Sequence, residues 1–98
     1  PGALLPSHHH PGTQIAYIES GVLTYSVETA SVVVRRGPSD APLVVRRVAA
    51  GETARLKPGH WIVEQPNMTH HAANTGTVPV VIYLSTLFRD GAPAAIPD

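Results

Sequence analysis

The sequence predicts an all-β fold in a single domain, 1–98, and three observations carry that reading. Apolar residues make up 43% of the 98 positions, enough for one core, and many are valine and few leucine, which suits strands. Ten prolines and eight glycines cut the chain into pieces of strand length. No helix-length amphipathic segment, internal repeat or second domain is visible.

Taken in order, residues 1–7 read as an extended lead-in punctuated by Pro1 and Pro6. Pro11-Gly12 signals a turn after His8-His9-His10, and QIAYIES (14–20) is then a strand. Gly21 marks a tight connection into VLTYSVE (22–28), where Leu23, Tyr25 and Val27 alternate with small or polar residues. These two segments are expected to pair as a hairpin. SVVVRR (31–36) and PLVVRRVA (42–49) flank the loop Gly37-Pro38-Ser39-Asp40-Ala41-Pro42 and predict a second hairpin. Gly51 and Pro58-Gly59 bracket a short strand, ETARLK (52–57). HWIVEQ (60–65), HHAAN (70–74) and VPVVIYLSTLF (78–88) follow as strands, separated by Pro66-Asn67 and Thr75-Gly76-Thr77. The Ala/Pro-rich tail, 90–98, is expected to be irregular, lying along the surface or fraying.

Arg35, Arg36, Arg46 and Arg47 fall on the two arms of the second hairpin. Like charges directly opposite each other are destabilising, so a register pairing Arg36 with Leu43 is preferred. The favoured reading is a solvated edge whose charges discourage further pairing. The alternative is an anion-binding or subunit-contact surface, the latter in a homodimer.

A formal net charge of zero leaves no electrostatic footprint for nucleic acid or an anionic membrane. No apolar run approaches the roughly 18 residues that span a bilayer. With no cysteine there is neither a disulfide framework nor thiolate chemistry, and the compartment stays open. A chain beginning at Pro1 suits a cytoplasmic protein or an exported one with its leader removed.

The chemistry concentrates in 2–21. His8 and His10 share one face of an extended segment and His9 takes the other, while Gln14 shares a face with Ala16 and Ile18. Two imidazoles and an amide oxygen converging from adjacent strand ends make a partial metal site that lacks a ligand.

With Gly2, His8, His10, Gln14 and Gly21 in one half and Gly59, His70 and Asn74 in the other, the chain resembles the cupins. The first cupin motif is Gly, five residues, His-x-His, three or four residues, Glu, six residues, Gly, and every gap is in register here. The second is Gly, five residues, Pro-x-Gly, two residues, His, three residues, Asn, and its overall spacing is kept. Three departures stand out: Gln14 replaces the Glu, Pro66 sits one residue late, and Met68 stands near the inner Gly. The resemblance covers nearly the whole chain. It implies a jelly-roll β-barrel with a divalent transition metal, Mn, Fe, Ni, Cu or Zn, at His8, His10, Gln14 and His70.

The spacing picks His70 over its neighbour His71, since alternation lets only one of them reach the site. His9 and His60 are expected at the rim or outside, and Glu19 is aimed away unless a bulge intervenes. Tyr17, Tyr25, Tyr83 and Glu64 are the candidates for further pocket-facing groups, whereas Trp61, Ile62, Phe88 and Met68 are expected in core or rim. An amide in place of the carboxylate leaves a divalent ion near +2, so Gln14→Glu is expected to tighten metal binding. Two functions fit: a small metalloenzyme acting on a small organic, anionic molecule, or a non-catalytic metal or small-ligand binding protein. The cupin resemblance allows dioxygenase, isomerase and decarboxylase chemistry without choosing among them.

Overall fold

Every element in the computed structural model, which describes residues 1–87 and 91–98, is a strand. In chain order these are β1 (Leu4–His9), β2 (Thr13–Ser20), β3 (Leu23–Val27), β4 (Ser31–Arg36), β5 (Leu43–Ala49), β6 (Thr53–Leu56), β7 (His60–Glu64), β8 (His70–Ala73), β9 (Val81–Leu87) and β10 (Ile96–Pro97). Two five-stranded antiparallel sheets result, ordered β10-β1-β8-β3-β6 and β5-β4-β7-β2-β9. They are two sheets packed together, not one sheet hydrogen-bonded into a closed barrel. Among the described residues no helix is long and apolar enough to cross a membrane. Phe88 and Asp90 lie outside the described residues.

Alternation builds the core. Along β2, Gln14, Ala16 and Ile18 are buried while Ile15 and Tyr17 are exposed. Val32 and Val34 of β4, Leu56 of β6 and Ile62 of β7 meet Tyr25, Val27, Val48 and Met68 in the same cluster. Fully burying each large aliphatic residue contributes about 1.5–3 kcal/mol, so this cluster fixes the separation of the sheets and the room left between them.

The Arg-bearing hairpin has the expected register, Arg36 opposite Leu43. A bulge between Val34 and Arg35 sets Arg35 against Val44 and Val34 against Arg46, so no two arginines face each other. Arg35 instead lies over the Trp61 ring, 5.6 Å from its centroid, an arrangement that favours the cation.

Two expectations fail and the extended lead-in proves to be a paired strand, each for a reason of pairing. The lead-in is a strand: β1 pairs with β8 through Leu4–Ala73, Leu5–Ala72 and His8–His70, and the register shifts between Leu5 and His8. Pro6, which has no N–H to give a ladder, falls within that irregularity. The segments either side of Gly21 do not form a hairpin, because β2 pairs with β7 and β9 while β3 pairs with β6 and β8 in the other sheet. The tail is not wholly irregular either. Ile96–Pro97 adds to β1 through His9–Ile96 and His8–Pro97, and the Asp98 carboxylate accepts from His9 Nδ1 at 2.8 Å and from Thr69 Oγ1 at 3.0 Å.

Gly21 makes the crossing between sheets. Its φ is +78°, and a Cβ there would stand 2.4 Å from the Pro79 carbonyl oxygen and 2.9 Å from Val80 Cα. Both obstacles are backbone, so neither can rotate aside. Gly21→Ala is therefore expected to lower stability by more than the roughly 1–2 kcal/mol of a left-handed alanine alone. A shift in urea midpoint at unchanged slope measures it, and a loss below about 1 kcal/mol would contradict the close approach.

Candidate metal centre

The cavity between the sheets, about 250 Å³, is floored by His8, His10, Gln14, Tyr25, Glu64 and His70. β1 and the residue after it carry His8 and His10, β8 opens on His70, β2 carries Gln14, β3 Tyr25 and β7 Glu64. His8 and His70 are direct partners across β1 and β8, and their ring centroids lie 4.2 Å apart. The His10 ring is 4.9 Å from His8 and 5.1 Å from His70. One ligand atom from each of the three histidines lies within 4.8 Å of the others. His10 and His70 are buried and His8 is half-buried.

Each of these imidazoles is oriented by a backbone carbonyl. Nδ1 of His8 donates to the Pro6 oxygen at 2.7 Å, that of His10 to the Ala94 oxygen at 2.8 Å, and that of His70 to the Met68 oxygen at 3.1 Å. A carbonyl only accepts, so all three rings carry a proton on Nδ1, and Nε2 is the nitrogen presented to the cavity. This is the outer contact that fixes the tautomer of a metal-ligating histidine. Burial is the main influence lowering the His8 pKa, helped by the neighbouring His70 and His10 and opposed by the bond to Pro6. A neutral imidazole is the form that ligates.

Gln14 and Glu64 are directly opposed across β2 and β7. Gln14 Nε2 donates to Glu64 Oε1 at 2.8 Å and lies 3.1 Å from His10 Nε2. The amide thus turns its nitrogen, not its oxygen, toward the imidazoles. Reversing it would set the amide oxygen against a carboxylate. The carboxylate nearest the imidazoles comes from Glu64, on the strand beside Gln14. Glu64 Oε2 stands 2.9 Å from His70 Nε2, and Oε1 stands 3.4 Å from His10 Nε2. A shared proton or a cation satisfies such contacts.

Glu64 is 3% exposed. Burial pushes its carboxyl upward, but the hydrogen bond and charge of His70, with donors from Tyr25 and Gln14, bring it below the usual range. Tyr25 donates to Glu64 Oε2 at 2.7 Å. Burial and the Glu64 charge raise its phenol far above the ordinary value, so it stays a proton donor. Its ring also stacks on His70, 5.5 Å between centroids.

The other candidates lie elsewhere. His71 is exposed and contacts Glu28 at 3.0 Å, His9 holds Asp98, and His60 Nδ1 accepts from the Lys57 amide at 3.0 Å. Glu19 is exposed. Tyr17 and Tyr83 stack on each other on the outer face, 6.3 Å between centroids. Ile62 and Met68 are core, while Trp61 is half-buried and donates to the Gly37 oxygen at 3.0 Å. Asn74 is structural: its side chain donates to the Val78 oxygen and accepts from the Gly76 amide, shaping the turn toward β9.

Two packed antiparallel sheets with three imidazoles converging between them agree with the all-β fold and the histidine cluster expected from the sequence. Among solved structures the chain is similar to an uncharacterized conserved protein with a double-stranded beta-helix domain from Klebsiella pneumoniae subsp. pneumoniae MGH 78578. The identity is 24% over 99% of this chain and 62% of that one, with a TM-score of 0.49. The chain thus spans under two thirds of its neighbour's length. No protein-family model matches the chain, and no curated protein is significantly similar to it.

Proposed function

We propose that this is a jelly-roll cupin that holds one divalent transition metal, Mn, Fe, Ni, Cu or Zn, through Nε2 of His8, His10 and His70. Glu64 rather than Gln14 is the fourth donor, and a small anionic organic molecule is the ligand or substrate. The observation that carries this reading is the set of three Nδ1–carbonyl hydrogen bonds, which orders three imidazoles with Nε2 inward. The donors fit such an ion: imidazole nitrogen with one carboxylate suits first-row metals. When bound, the metal would supply Lewis acidity toward an oxygen of the small molecule.

The chain's own residues have separate parts in this reading. Gln14 fixes the Glu64 carboxylate from one side and Tyr25 from the other, and Tyr25 keeps its proton on the phenol oxygen. Burial of Glu64, Gln14, Tyr25, His10 and His70 strengthens the charge interactions among them. One observation favours the non-catalytic alternative. Among the described residues the polar side chains of the floor are hydrogen-bonded to one another or to backbone, and none is left as an acid or base aimed at a guest.

Elemental analysis of protein purified without an affinity tag is expected to find about one transition-metal ion per chain. Metal-free protein that takes up none on addition of Zn, Ni or Mn would overturn the reading. Oxygen uptake or substrate loss with the iron-loaded protein separates the enzyme from the binding protein.

A further inference from the structure

The geometry points to a particular occupant for this cavity: a monoanion with one polar head and a slender aliphatic body, of which hexanoate is the simplest example. The inference rests on the metal reading above and adds the chemical class of the guest. Polarity in the cavity is one-ended. His10, Gln14, Glu64, Tyr25 and His70 form one hydrogen-bonded network, and the His8 ring packs against His70. Among the described residues the remaining lining is aliphatic, including Leu5, Leu23, Ile62, Ile82 and Leu84, and contains neither Lys nor Arg.

Charge sets the head. A divalent ion with one carboxylate leaves about one positive charge at the floor, which matches one anionic group. A second anionic group further up would meet, among the described residues, only aliphatic side chains that offer it no counter-charge or hydrogen bond. Shape sets the body. Apart from Tyr25 and the histidines, the described residues of the lining hold no aromatic ring, and the wall they form above the floor is aliphatic. At roughly 30 Å³ for each water-sized group, a cavity of about 250 Å³ holds about eight non-hydrogen atoms. Hexanoate has that many.

A second cavity of about 280 Å³ adjoins the first, and Leu5, Leu23 and Ile82 line both. Those three side chains are the partition that sets the length limit. Leu23 belongs to the core, but Leu5 is 48% exposed. Shortening Leu5 therefore opens the partition with little loss of packing.

The test uses protein loaded with Co(II), whose visible absorption changes when a carboxylate binds at the metal. Straight-chain monocarboxylates from acetate to decanoate are titrated, with hexanedioate as the two-headed control. Affinity is expected to rise about fourfold per methylene up to about six carbons and then to level off. Hexanedioate is expected to bind at least about 100-fold more weakly than hexanoate. In Leu5→Ala the rise should continue to about nine or ten carbons. Equal binding of acetate and hexanoate, or of hexanoate and hexanedioate, would overturn the inference while leaving the metal site standing. A levelling-off unmoved by Leu5→Ala would overturn the partition. Absence of Co(II) bands in the parent would remove the metal reading and this inference together.

Discussion

Exchanging the two opposed side chains, Gln14→Glu together with Glu64→Gln, is expected to restore most of the metal affinity that Glu64→Gln alone loses. The single substitution Glu64→Gln removes the one carboxylate near His10 and His70, and a loss of about 10–100-fold is expected. Gln14→Glu alone does something different from what the motif spacing suggests. It puts a second carboxylate where an amide now donates to Glu64 at 2.8 Å. Two buried carboxylates at that separation cannot both ionise without a cation between them. The metal-free single variant should be destabilised by about 1–3 kcal/mol, and any gain in metal affinity comes with that penalty. The double exchange keeps one carboxylate, one amide and the hydrogen bond between them, with the ends reversed. Metal titrations and melting curves on the four proteins form a double-mutant cycle. If the two substitutions merely add, the carboxylate has no exchangeable place across β2 and β7, and Glu64 is not a ligand in the sense proposed.

The histidines were legible because their signal is local. Alternation separates His8 and His10 from His9 and His70 from His71, and the Gly-to-Asn spacing makes the choice between the two faces. The Arg36–Leu43 pairing was legible too, since a short loop leaves few registers and like charges exclude the wrong ones. Glu64 could be named as a pocket candidate but not given its part. Its partner Gln14 is 50 residues away, and nothing within 60–65 says which strand lies alongside. The same limit defeated the expected hairpin around Gly21. Alternation tells which face of a strand is buried, whereas pairing depends on which distant edges remain open. β1 and β10 were missed because Pro6 and Pro97 argue locally against strands, and only the bulge at 5–8 and the edge position of β10 make room for them.

Truncating the buried histidine, His70→Ala, should have the largest effect of any single change, and truncating its neighbour, His71→Ala, almost none. His70 is 3% exposed. It supplies one of the three converging nitrogens, contacts Glu64 at 2.9 Å and stacks on Tyr25. Removing the ring leaves the buried Glu64 carboxylate without the partner 2.9 Å away, and an uncompensated buried charge costs about 3–5 kcal/mol. Metal affinity should fall by at least about 100-fold, since both a ligand and the orientation of the carboxylate are lost. His71 points to solvent, where its contact with Glu28 is screened, so affinity and melting temperature should stay near those of the parent. A severe loss of stability could mimic a loss of binding, and His70→Gln separates the two. The glutamine amide can still donate to Glu64, so melting should recover much of the parent value while metal affinity stays low. Recovery of metal binding along with stability would mean that His70 only positions Glu64. Reversed effects at positions 70 and 71 would mean that β8 is offset by one residue, and with it the inward face of the whole strand.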